Sequence, residues 1–129
     1  MTRPPERSFF ALFVRFWLPL LVYVSAIFVA SAQPHLHAPL EFRFGDKLLH
    51  VAEYLILGLL LARALRAHLR LGHPLFAAVI ALGFVVLTGA ADEYLQSFIP
   101  GRQCSLLDLV ADTVGGAVAQ VAYVWSVRS

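Results

Sequence analysis

Cysteine is nearly absent from this sequence. Cys104 is the only one, so no disulfide can close within the chain and no cysteine cluster can hold zinc. Charge is scarce as well. Asp, Glu, Lys and Arg make up 14% of the residues against 60% hydrophobic, where a soluble domain carries about a quarter charged. With a mean hydropathy of +0.76, the balance points to lipid as the solvent. There is no internal repeat, low-complexity tract or long linker, so one domain over residues 1–129 is expected. The net charge of +2 is modest, and no nucleic-acid partner is expected.

What the sequence does have is four apolar runs. Phe9 to Ala32 is interrupted by a single charge, Arg15, which sits near the end of the run and can snorkel to the interface. About 20 apolar residues suffice to cross a ~30 Å hydrocarbon core. The basic head and Ala30-Ser31-Ala32 also fit a secretory signal with its cleavage site. The apolar part is longer than such signals carry and other spans follow, so a retained first span is expected. Further spans are expected at about 46–65, 74–92 and 106–126. The fold class is therefore an all-α polytopic membrane bundle of four transmembrane helices. The connector after the first span carries Pro34, Pro39, His35 and His37, and the two histidines read as solvated loop residues. Gly58, Gly89, Gly115, Gly116, Ala117 and Ala119 read as packing positions where helices approach closely.

Orientation follows from the basic residues. Arg3, Arg7, Arg15, Arg63, Arg66, Arg70 and Arg128 fall on one side of the four spans, with Arg43, Lys47 and Arg102 on the other. The positive-inside rule then puts both termini in the cytoplasm. The polar passages around Asp46–Tyr54 and Asp92–Asp108 would share the outer face.

Those passages carry the chemistry. On a helix, Asp46, His50 and Glu53 lie at i, i+4 and i+7, and Lys47, His50 and Tyr54 form an overlapping stripe. Glu93 and Gln96 are three apart. Asp108 and Asp112 are four apart, on a face that continues to Gly115 and Gly116. Ionisable groups in a span cost about 2.5–3.5 kcal/mol each on insertion scales, so they are expected to face inward together. Six acids (Asp46, Glu53, Asp92, Glu93, Asp108, Asp112) then face Lys47, Arg102 and His50, and the excess needs protons, a cation or solvent to balance it.

Asp46-Lys47-x-x-His50-x-x-x-Tyr54, Glu93-x-x-Gln96-x-x-x-Pro100-x-Arg102, Ser105-x-x-Asp108 and the later Gly115-Gly116-Ala117 resemble the VanZ-like family. The resemblance covers roughly Asp46 to Gln120. It implies a small helical protein of the bacterial inner membrane, in a family whose founding member is associated with teicoplanin resistance. The family pattern usually carries Asn where this chain has Asp112.

Two functions are expected from these residues. In the first, the protein binds or shields a cell-envelope lipid or precursor. Arg102 and Lys47 would form an anion site for a phosphate-headed lipid, and Asp46, Tyr54, Gln96, Ser105, Asp108 and Asp112 would complete the ligand-binding set. The structural reading of Arg102 is a clamp on Glu93 or Asp108 that pins the loop to the bundle. In the second, His50 and Glu93 are catalytic and do acid–base chemistry on a lipid-linked phosphate substrate. Nucleophilic attack by Ser105 or Cys104 lacks a base that the sequence can place. A metal site built from His50 and carboxylates has no H-E-x-x-H motif or cysteine pair to support it, so no metal is expected, nor any cofactor. Membrane lipid is the expected partner. Ion transport, a third class, would need a homo-oligomer of so short a chain.

Overall fold

The computed structural model describes residues 8–34, 44–68 and 73–128. The expectations placed on Arg3, Arg7, His35, His37, Pro39, Arg43 and Arg70 lie outside the described residues. All regular elements among the described residues are helical. Four helices, Phe9–Ser31, Gly45–His68, Pro74–Gln96 and Leu106–Arg128, are long and apolar enough to cross a membrane. At 23 or 24 residues each, they reach about 35 Å at the usual helical rise.

The third helix runs further than its apolar stretch. It was expected to end near Asp92, yet it continues through Glu93 to Gln96. The reason is burial: Asp92, Glu93 and Gln96 are 1%, 3% and 3% exposed, so their side chains turn toward neighbouring helices and the backbone need not stop where polarity begins. In the first helix, Phe13–Trp17 opens into a π turn just before Pro19. Proline has no N–H and its ring crowds the carbonyl four residues earlier, and a wider turn relieves both.

Small residues set the packing. A Cβ on Gly58 would lie 2.7 Å from the Ala119 side chain, and one on Gly116 would lie 2.5 Å from Val85. A Cβ on Gly115 would run into the backbone carbonyl of Val51. The second and fourth helices thus meet backbone to backbone, and the third packs the Val85 side chain into Gly116, as close packing in lipid requires where there is no hydrophobic drive between helices. Tyr54, Leu57, Ala81, Val85 and Ala119 fill the centre, each fully buried. The first helix is peripheral. It inserts Leu20 and Ile27 into the core and is tied on by Tyr23, whose hydroxyl donates to the Glu53 carbonyl at 2.9 Å. Trp17 Nε1 donates to His68 Nδ1 at 2.8 Å near the other end of the bundle.

This up-and-down order brings the end of the first and third helices beside the start of the second and fourth. Among the described residues, Arg15, Arg63, Arg66 and Arg128 lie at the opposite end. There, the Arg66 guanidinium stacks over the Tyr123 ring at 5.9 Å.

Candidate functional site

The second helix enters the site through Lys47, His50 and Tyr54, the i, i+3, i+7 stripe read from its sequence. Lys47 Nζ donates to Asp46 Oδ2 at 2.6 Å and also to Asp108 Oδ1. One turn deeper, His50 Nδ1 pairs with Asp112 Oδ1 at 2.7 Å, while its Nε2 lies 3.9 Å from Asp108 Oδ2. Two polar rungs therefore join the second and fourth helices. Tyr54 lies a further turn down and is fully buried.

The fourth helix supplies the acids because of how it starts. Ser105 stands just before it, and its hydroxyl accepts from the Asp108 amide at 3.4 Å, a side-chain cap on the helix N-terminus. Asp108 then sits in the first turn, where the exposed amides favour a carboxylate. Asp112, Gly115, Gly116 and Ala119 continue the same buried face.

From the third helix, Glu93 Oε2 accepts the backbone N–H of Ser105 at 2.7 Å. The loop was expected to be pinned through an Arg102 clamp on Glu93 or Asp108. This carboxylate-to-amide bond is a pin between Glu93 and the loop. Gln96 donates to Asp92 Oδ2 at 3.0 Å and to the Ser31 hydroxyl at 3.4 Å, linking the third helix to the first. Arg102 is half-buried in the loop, and its charge reaches Glu53 and Asp92.

The polar tips of the second, third and fourth helices thus gather in one place. Lys47 is held by Asp46 and Asp108, and His50 by Asp112. His50, Glu93 and Asp112 each place one donor atom within 4.8 Å of the others. In this junction, Tyr54 Oη, Asp92 Oδ1, Glu93 Oε1 and Asp112 Oδ2 are buried oxygens with no hydrogen-bond partner among the described residues. A buried polar group left unsatisfied costs about 1–3 kcal/mol, so four in one junction leave it poised for protons, a ligand or an ion. The Ser105 hydroxyl is turned to its helix cap, and Cys104 is exposed.

Sequence reasoning missed two partners. Ser31 joins through Gln96, and Gln120 is 5% exposed and donates to the Gly58 carbonyl at 3.0 Å. The spacing of Gln120, four residues after Gly116 and eight after Asp112, was the available signal. Nothing local marks Ser31.

This is a multi-pass helical membrane protein whose buried charges collect at one end of a tight bundle. The VanZ/LLP1 family model matches residues 4–127, and the chain belongs to that family. No curated protein and no solved structure matches it.

Proposed function

We propose that the protein binds the polar head of a cell-envelope lipid or lipid-linked precursor at this end of the bundle, in the bacterial inner membrane with the site on the outer face. Shielding such a precursor is the route by which it would contribute to glycopeptide resistance. The observation that carries this reading is a gradient of access. The side chains of Asp46 and Lys47 are 48% and 25% exposed, that of His50 is 15% and that of Asp112 is 0%. Around that rim, Phe44, Leu48, Phe98, Leu106 and Leu107 present exposed apolar surface. A ligand with a charged head and an acyl or prenyl tail matches both parts. Lys47 and Arg102 supply attraction for an anionic head, while the acids below accept its hydroxyls or protons.

Native mass spectrometry of protein purified in mild detergent tests the reading. A phosphate-headed prenyl lipid should be retained by the wild type and lost from a folded Arg102→Ala variant. Equal retention by both, or none by the wild type, rules the reading out.

The His50–Asp112 pair favours one alternative, a small membrane enzyme. A histidine held through Nδ1 by a buried carboxylate, with a second carboxylate close by, has the parts for proton transfer. On this reading Glu93→Gln abolishes turnover of a lipid-linked phosphate substrate and spares its binding. Failure of the wild type to alter any such lipid over prolonged incubation eliminates it.

A further inference from the structure

The excess of acid has a more specific resolution than protonation or solvent. We propose that His50, Glu93 and Asp112 form a binding site for one divalent transition-metal cation of the zinc or manganese class. The site does not depend on the lipid reading, which rests on Lys47 and Arg102.

Three observations support it. The donor atoms come from three different helices, the second, third and fourth, and lie within 4.8 Å of one another. Metal–ligand bonds of about 2.0–2.2 Å set donors roughly 3–3.6 Å apart, so small side-chain rotations would close the site. Next, Glu93 and Asp112 are 3% and 0% exposed, and each keeps one carboxylate oxygen, Oε1 and Oδ2, without a donor among the described residues. Buried carboxylate oxygens with nothing to bond are what a cation satisfies. Finally, Lys47 is committed to Asp46 and Asp108, so its charge is spent on the two shallower carboxylates.

The donor types select the ion. One imidazole and two carboxylates suit zinc, manganese or iron, whereas magnesium and calcium prefer all-oxygen shells. Three protein donors would leave a coordination position open. The buried Tyr54 hydroxyl, also without a partner, lies within electrostatic reach of Asp112 and Glu93 and would support whatever fills it. The cation would also staple three helices whose polar ends otherwise hold unsatisfied groups.

The test uses full-length protein purified without a histidine tag, stripped with chelator and dialysed. Titration with Zn²⁺, Mn²⁺ and Co²⁺ should give one tightly held ion per chain by elemental analysis, with Co²⁺ developing visible ligand-field bands. Glu93→Gln and Asp112→Asn should each weaken binding by more than ~100-fold, since even outer-sphere changes cost 10–100-fold. His73→Gln, an exposed histidine near the opposite end, should keep the ion. The wild type also decides the matter if a variant misfolds, because its thermal unfolding midpoint should rise with metal. A wild type that takes up none of the three ions in a one-to-one ratio overturns the proposal. So does equal retention by folded Glu93→Gln and Asp112→Asn variants.

Discussion

His50 Nδ1 lies 2.7 Å from Asp112 Oδ1 although 62 residues separate them. The contact joins the second and fourth helices one turn below the Lys47–Asp108 rung, and it is shielded from solvent on the aspartate side. A double-mutant cycle with His50→Gln and Asp112→Asn should return a coupling energy of about 1–3 kcal/mol, in the range for residues in direct contact. Reversible denaturant unfolding in mixed micelles provides the measurement. Strict additivity would mean that the pair contributes nothing.

Lys47 is shared by two acids of unequal burial, the Asp46 side chain at 48% exposed and that of Asp108 at 11%. Lys47→Met should destabilise the bundle by roughly 1–3 kcal/mol by stranding Asp108, below the range for a fully buried pair because the site is partly open. Adding Asp108→Asn should restore most of that loss. Asp46→Asn alone should change stability by less than about 0.5 kcal/mol. Failure of the double variant to recover would show that Asp108 has no need of Lys47.

The Glu93–Ser105 bond fastens the loop carrying Arg102 through an acceptor oxygen. Glu93→Gln keeps an oxygen for the Ser105 N–H, while Glu93→Ala removes it. Trypsin should therefore cut after Arg102 faster in Glu93→Ala than in wild type, with Glu93→Gln close to wild type. Equal rates in all three proteins would place the control of the loop elsewhere.

Glycines in this bundle are not equivalent. Gly115→Ala drives a methyl group into the Val51 carbonyl, whereas a Cβ on Gly83 meets nothing within 4 Å. The first substitution should cost at least ~2 kcal/mol through overpacking. The second should be neutral or stabilising by up to about 1 kcal/mol, the usual gain of alanine over glycine in a helix. Gly89→Ala has a further effect: its methyl would lie 2.9 Å from Asp112 Oδ2. It should disturb the His50–Asp112 pair and lower any metal retention together with stability. Comparable stability for Gly115→Ala and Gly83→Ala would contradict the packing described here.

Much of this architecture is present in the order of residues. Runs of apolar side chains long enough to cross lipid determine the number and kind of spans, because an isolated backbone in hydrocarbon must bond to itself as a helix. The 3.6-residue period puts Lys47, His50 and Tyr54 on one stripe, and Asp108, Asp112, Gly115 and Gly116 on another. Both stripes are those that face the neighbouring helices. Periodicity says which way a side chain leaves its own helix. It is silent on how far the next helix has slid or turned.

Tertiary packing therefore settled the partners. It gave Lys47 to Asp108, turned His50 Nδ1 to Asp112, fastened Glu93 to the Ser105 amide and set Trp17 against His68 across 51 residues. It also carried the third helix through Asp92 and Glu93 to Gln96, past the point where its apolar character ends. Depth and rotation between helices are fixed by contact surfaces, above all the flat backbone at Gly58, Gly115 and Gly116, and a one-dimensional pattern does not encode those offsets.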